Sequence, residues 1–383
     1  MMAAMGPPFV LADPPSALAL VADHAEVLGL GPGDEVERCV LVDARLRELR
    51  GQDVGWVLYS VASATVPDAL VVVEAAPALS VWRFPDDPDL PAIAGALREA
   101  QDAIVVRYRP RGGCTLREPD GAGGHRFRKF LAGGRARAVA ERHAVLWEAA
   151  RRDPRLVVPE PLGGEADGSS YALRGATGVP LAHAAGTADA ARLAVTVAGL
   201  LAALHAVELV PDRRVDVGAL VVESRKKAGK MTRRLPDAAE RLAPLLDALA
   251  EDELRPAPGP GTLVHGDLNA GQLLVDGERV TLLDFDSLSR GDAEVDLAEL
   301  TVDLCLGGDA AARALAGAIL GAYEHPTGRP LDTARLRLHG AVELLIRAWR
   351  HQRQGAPGWD AALLADVDAW PAVEAVLRPP GPG

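Results

Sequence analysis

Between Leu263 and Leu300 the chain reads LVHGDLNAGQLLVDGERVTLLDFDSLSRGDAEVDLAEL, and this stretch limits the fold more than any other. An apolar approach ends in His265-Gly266-Asp267. Two short β-like runs, Gln272 to Val275 and Val280 to Leu283, are joined by Asp276-Gly277, and Asp284-Phe285-Asp286 follows. Asp-Gly between apolar runs signals a tight hairpin, because the turn needs a positive φ that few other residues tolerate. A tight hairpin brings the loop before it and the loop after it to the same end. Asp267, Gln272 and Asp284 are therefore expected to converge.

Two carboxylates and an amide oxygen suit a hard divalent cation such as Mg²⁺, which takes oxygen ligands and shares them with phosphates. A kinase catalytic loop has the same order. One Asp accepts the proton of the attacking hydroxyl, an amide five residues later holds a metal ion, and a second Asp before Phe holds the bridging ion. On these residues the stretch resembles the aminoglycoside phosphotransferase family and its small-molecule kinase relatives, which share the protein-kinase-like fold. The run Gly291-Asp292-Ala293-Glu294-Val295-Asp296-Leu297-Ala298 resembles that family's Gly-Asp-Pro-x-x-Asp-Leu-Ala.

The resemblance implies an α+β, two-lobed fold with a β-rich N-lobe and a helical C-lobe. It implies Asp267 as catalytic base, Gln272 and Asp284 as Mg²⁺ ligands, and Asp296 bonded to the backbone of the catalytic loop, with His265 and Asp286 in supporting positions. Three departures stand out. Gln272 occupies the place of the family's metal-binding Asn and is one methylene longer. Asn269-Ala270 replaces His-Pro, and Asp286 sits where protein kinases have glycine.

With 383 residues, about half of them apolar, the chain is too long for one ordinary core and is globular. Its formal charge of −12 argues against a nucleic-acid binder, whose affinity comes from cations that neutralise phosphates. Cys39, Cys114 and Cys305 are few, odd in number and far apart, which suits a reducing cytosol and small buried thiols rather than disulfides. The start MMAAMGPPFVLADPP lacks a basic leader and is broken by prolines, and the uncharged run Leu193 to Leu204 is too short to span a bilayer. A cytoplasmic protein with no membrane partner is expected. The sequence leaves the oligomeric state open.

Residues 1–102 read as an additional α+β extension of unassigned role. Cys39–Val42, Trp56–Val61 and Leu70–Val73 are β-like, and Asp89 and Pro91 are expected to start a helix from Ile93 to Gln101. A nucleotide-binding N-lobe is expected over 103–178. Ile104 to Arg109 alternates, with Val106 and Tyr108 on one face, and the turn Arg111-Gly112-Gly113 leads to a second strand, Cys114 to Arg117. In the family such a turn covers nucleotide phosphates with backbone N–H groups. The third strand, His125 to Leu131, places Lys129 between Phe127 and Leu131 on one face, where a cation wants an anionic partner. The resemblance makes Lys129 the holder of the α- and β-phosphates and Glu141, with Glu148 as the other candidate, its orienting partner on the helix Arg135 to Arg152. Val145 is expected beside Glu141 on that helix's inner face. Leu173 and Gly175 open a glycine-bounded segment to Leu181 that resembles the hinge whose backbone reads the purine edge.

From residue 179 to 377 the expectation is a helical C-lobe carrying the catalytic loop and the substrate pocket, followed by a disordered tail, 378–383. Leu193 to Leu209 is apolar almost all round, as in a buried helix. The basic run Arg225 to Arg234 reads as a solvated helix face or loop, with an anionic-ligand site as the alternative. The function implied is transfer of the γ-phosphoryl group of ATP or GTP to a hydroxyl of a small polar acceptor. Two rivals remain: an inactive kinase-like binding module, and a metal-dependent hydrolase built on Asp267, Asp284 and Asp286. The acid-rich stretch Asp286, Asp292, Glu294, Glu299 and Asp303 leans towards an amine-bearing acceptor through negative potential at the pocket.

Overall fold

The apolar runs of the first hundred residues become the inner strands of a sheet. In the computed structural model, which describes residues 25–28, 36–49, 52–66, 68–76, 78–186, 189–249, 261–307, 309–354 and 358–378, a single helical turn, α1 (Ala25–Leu28), precedes four antiparallel strands. These are β1 (Val36–Leu49), β2 (Gln52–Ser63), β3 (Ala69–Ala76) and β4 (Ala78–Arg83), in that order across the sheet. The register pairs Tyr59 with Val71 and Val72 with Trp82. Val57, Tyr59, Val61, Val71 and Val73 are buried on one face, and Trp56, Leu58, Val72 and Trp82 on the other. Cover on both faces is the reason these strands read as unbroken apolar runs rather than alternating ones.

The described residues fall into two compact units. The first runs to Ala136 and takes in Gly164–Tyr171 and Arg350–Leu363, and the second comprises the rest. In the first unit α2 (Ala92–Glu99) and the antiparallel strands β5 (Ile104–Arg109), β6 (Gly113–Pro119) and β7 (His125–Leu131) follow the four-stranded sheet. Parts of β8 (Pro161–Gly164) and β9 (Ser170–Arg174) complete a second sheet of five strands, ordered β5-β6-β7-β9-β8. Ile93 and Ala96 of α2, with Tyr108, Cys114, Leu116 and Phe130 of β5 to β7, share one core with Trp56, Leu58, Val72 and Trp82. The sequence extension and the second sheet are thus one hydrophobic body. Two expectations change here. Val106 is exposed while Tyr108 is buried, because a register shift between Val105 and Arg107 breaks the alternation. Asp89 does not cap α2, whose N-cap position is Pro91 without a side-chain bond; Asp89 pairs with Arg111 instead.

The second unit holds most of α3 (Arg135–Ala150), the short strand β10 (Val179–Pro180), α4 (Leu181–Ala184) and the buried helix α5 (Ala190–His205), capped by Asp189. Next come α6 (Val217–Arg234) and α7 (Ala238–Ala248). α6 buries Val221, Ser224, Ala228 and Met231, while Arg225, Lys226, Lys230, Arg233 and Arg234 are exposed, so the basic run is a solvated helix face. Strands β11 (Thr262–Val264), β12 (Leu273–Asp276), β13 (Arg279–Leu282) and β14 (Ser289–Gly291) then carry the motif stretch. Most of the rest is helical: α8 (Glu294–Gly307), α9 (Ala310–Thr327), α10 (Thr333–Gln354), α11 (Trp359–Asp368) and α12 (Trp370–Leu377). No helix among the described residues is long and apolar enough to cross a membrane. Residues 1–24 and 379–383 lie outside the described residues, as do Pro256, Pro258 and Pro260. Cys114 and Cys305 are buried and Cys39 half-buried; burial pushes their thiols up, to about 12 for Cys114.

Candidate active site

β12 and β13 pair antiparallel, Leu273 opposite Leu282 and Val275 opposite Val280, which is the hairpin the motif announces. Its turn sits one residue later than expected. Asp276 remains paired with Arg279 and accepts the Thr177 hydroxyl at 2.5 Å, while Gly277 takes φ 60°. At the open end of the hairpin the Leu283 N–H donates to the Gln272 carbonyl at 2.9 Å, and the His265 ring Nε2 donates to the Leu283 carbonyl at 2.9 Å. Backbone bonds on both sides of Leu283 therefore tie the residue before Asp284 to Gln272 and to the loop of Asp267. Gly266 has φ 76°, and a Cβ there would stand 2.8 Å from the Ser287 carbonyl oxygen, so only glycine lets the loop pass.

Asp267 is exposed, Asp284 half-buried and Gln272 buried. Asp284 adopts the left-handed conformation, φ 67° and ψ 67°, at the entry to a short 3₁₀ turn, Phe285–Ser287, that includes Asp286. Strain of this kind costs energy and persists only where surrounding structure enforces it. Phe285 supplies that enforcement: it is buried, with the His265 ring 5.7 Å away and the His143 ring of α3 5.2 Å away. The Gln272 Oε1 accepts the Asn269 N–H at 3.0 Å, and Asn269 Oδ1 accepts the Gly271 N–H at 3.0 Å, a reciprocal cap that rigidifies the loop. An amide oxygen has two lone pairs, and the Asn269 N–H occupies one of those of Gln272. A hard cation that shares ligands with phosphates fits this donor set of two side chains.

Behind the loop lies α8. Asp296, fully buried, accepts the His265 N–H at 2.7 Å and the Gly266 N–H at 2.9 Å, the backbone role expected of it. It also takes a bond from His205 Nε2 at 3.0 Å, and His205 Nδ1 lies 2.5 Å from the Tyr323 hydroxyl. Burial alone would raise the Asp296 carboxyl, but His205, His265 and the Gly266 N–H outweigh it and hold the carboxyl below its usual range. Glu299 accepts the Leu268 N–H at 2.7 Å and Asp303 the Ala270 N–H at 2.8 Å. Spacings of three and four residues put all three carboxylates on one helix face. As anchors of the loop, Glu299, Asp303, Asn269 and His205 do not stand out in the sequence. The signals that reach them are N-x-x-Q before the hairpin and the helical repeat of acids on an otherwise apolar helix.

In the acid-rich stretch two of the five carboxylates, Asp292 and Asp303, have an arginine beside them. Asp292 pairs with Arg335, Glu294 accepts the Asp332 N–H at 3.3 Å, Glu299 and Asp303 bond the loop, and Arg347 reaches Asp303 at 2.8 Å. Among the described residues, no group of three His, Cys, Asp or Glu side chains is gathered to hold a metal ion.

The other expected site residues are divided between the two units. Lys129, in the first unit, is half-buried and faces Thr115 in register, on the side of β7 opposite the buried Phe130. Arg111 is committed within that unit. Its N–H donates to Asp87 at 2.9 Å, its guanidinium reaches Glu74 at 2.6 Å and Asp89 at 3.3 Å, and it stacks over Trp82 at 4.9 Å. Arg111 as a phosphate ligand is therefore corrected to a structural anchor. A Cβ on Gly113 would stand 2.8 Å from the Phe130 carbonyl oxygen, so the close pairing of β6 with β7 demands that glycine. Glu141 and Val145 are exposed on α3, whose buried line runs through Ala136, Val139, His143 and Leu146. Glu148 pairs with Arg151 at 3.2 Å. Leu173 is buried, and Gly175 lines a cavity of about 270 Å³ with Trp147, Thr177 and Arg279. A further cavity of about 1190 Å³, lined by Trp147, Val195, Gly321 and Pro326, includes none of the expected site residues.

The family model of the phosphotransferase enzyme family matches residues 117–339. Among solved structures, a spectinomycin phosphotransferase in complex with ADP and spectinomycin is similar, with TM-score 0.52 and 13% identity over 72% of this chain and 92% of that one. A choline/ethanolamine kinase family protein from Mesorhizobium loti matches at TM-score 0.46 and 18% identity, over 72% of this chain and 92% of its own. A macrolide 2'-phosphotransferase from Brachybacterium faecium matches at TM-score 0.46 and 20% identity, over 77% and 99%. No curated protein matches. The antiparallel sheets of the first unit and the helices of the second are those of a protein-kinase-like α+β fold.

Proposed function

Because the chain belongs to the phosphotransferase enzyme family, we propose that it moves the γ-phosphoryl group of ATP or GTP to a hydroxyl of a small polar molecule, working in the cytoplasm. The observation that carries this reading is the state of Asp267. It stands exposed on a loop whose neighbours His265, Gly266, Leu268 and Ala270 all donate backbone N–H groups to carboxylates of α8. Phosphoryl transfer asks a protein mainly for position and charge compensation, and a carboxylate on a braced loop provides position. Asp267 takes the proton of the acceptor hydroxyl as its oxygen attacks the γ-phosphorus. The bond to the bridging oxygen breaks, and the nucleoside diphosphate leaves with the electron pair.

Gln272 and Asp284 would hold Mg²⁺, which supplies neutralisation of phosphate charge when bound. Lys129 holds the α- and β-phosphates, the backbone of Gly112 and Gly113 covers them, and the segment from Leu173 to Gly175 meets the purine. The acceptor belongs to the hydroxyl compounds such enzymes take: an aminocyclitol, another sugar, a nucleoside or an amino alcohol. Nucleoside diphosphate release measured across a panel of these tests the reading. Release that depends on one acceptor class is expected, whereas hydrolysis indifferent to every acceptor overturns it.

A further inference from the structure

We propose that Glu299, on α8, is a positioning residue for the reaction: through its bond to the Leu268 N–H it sets where the neighbouring Asp267 carboxylate stands. The inference rests on the phosphotransferase reading of Asp267. Leu268 is the residue directly after Asp267, its side chain is 1% exposed, and its N–H donates to Glu299 Oε2 at 2.7 Å. Asp267 is thus flanked by two anchored amides, Gly266 on Asp296 and Leu268 on Glu299. The Asp296 anchor fixes the start of the loop, and Asp303 with Arg347 fixes its end at Ala270. Glu299 holds the position in between. Without it the Leu268 N–H is left unpaired in the interior, and the loop relieves that cost by moving.

The chemistry of Glu299 differs from that of Asp296 although they share a helix face. Asp296 has the His205 ring and two backbone donors, which suits an ionised carboxylate. Around Glu299 stand Asp296, Glu343 and Asp267, with Arg347 engaged by Glu343 at 2.7 Å and by Asp303. Burial first, and those three acids next, push the Glu299 carboxyl well above its usual range. A carboxyl group and a carboxamide have the same planar shape, and each offers an oxygen that accepts from the Leu268 N–H. Glutamine therefore replaces Glu299, whereas leucine, which fills the space and accepts nothing, does not.

The test compares Glu299→Gln and Glu299→Leu in the full chain by hydrogen exchange of the 265–272 segment and by kinetics with the acceptor found in the screen. For Glu299→Leu, faster exchange at Leu268 is expected, with kcat down by roughly tenfold or more and the nucleotide KM within about twofold of wild type. Glu299→Gln restores both exchange and kcat. Should Glu299→Leu not fold, Glu299→Ala carries the comparison, and faster exchange at Leu268 with the same loss confined to kcat is expected. Wild-type kcat in the leucine variant overturns the proposal, as does a glutamine variant as slow as the leucine one. A wild-type protein that transfers no phosphate overturns the reading of Asp267 instead, and the exchange result then stands by itself.

Discussion

Asp267 is exposed at the turn of its loop while the residues on either side are anchored, so replacing its carboxylate alone should leave the loop intact. Asp267→Asn is predicted to lose at least about 10²-fold in kcat, the low end of a general-base contribution, with nucleotide affinity unchanged. Steady-state kinetics beside a binding titration checks both halves. Asp284→Ala is predicted to weaken nucleotide binding in Mg²⁺ and to leave metal-free binding as it was, measured by calorimetry with and without chelator. Arg111→Ala is a prediction about stability. It leaves Glu74, whose side chain is 16% exposed, without its cation and uncovers Trp82, and a loss of about 1.5–3 kcal/mol in denaturant unfolding is expected. At this scale the backbone bonds of Asp296 were legible because a short motif at fixed spacing names it, and motifs of the same kind single out Asp267 and Asp284. Arg111 was misread because nothing local reveals that Glu74, Asp87 and Asp89, far back in the chain, hold it.

At the scale of elements, α8 is the part on which the loop depends. It carries acids of opposite character: the Asp296 carboxyl is held down and the Glu299 carboxyl is pushed up. The two have opposite consequences for stability. Asp296 contributes stability that is present above the unfolded carboxyl value of about 3.9 and is lost as pH falls through the lower folded value. Glu299 contributes stability that is present below the unfolded value of about 4.3 and is lost as pH rises through the higher folded value. Glu299→Gln removes only the second trend. Urea unfolding midpoints between roughly pH 4 and pH 8 should fall less with pH in the variant than in the wild type, and parallel curves would count against a raised Glu299. The β12–β13 hairpin was legible from Asp276-Gly277. The single bulge that turns Val106 outward and the exposure of Val145 were not, since either depends on partners that alternation along one strand or helix cannot reveal.

For the whole molecule, the family-matched stretch begins only at residue 117, yet the core of the first unit is continuous across that point. Leu116 and Phe130 are 0% and 2% exposed because Trp56, Leu58, Val72 and Trp82 pack in the same cluster. Deleting residues 1–102 strips one side of that cluster and is predicted to give aggregated protein rather than a smaller active enzyme, which size-exclusion chromatography of the truncated chain will show. Sequence reading found the strands of this region and could not join them to β5–β7, because the joining contacts are long-range and leave no periodic mark. The central claim, that the chain transfers phosphate from a nucleotide to a small hydroxyl compound with Asp267 as base, has one direct measurement. Label from γ-labelled nucleotide is followed into the acceptor by wild type and Asp267→Asn at equal nucleotide occupancy. The account predicts Mg²⁺-dependent label in the acceptor with wild type and a rate lower by about 10²-fold or more with the variant. Equal transfer by both proteins, or label recovered only as inorganic phosphate, would contradict it.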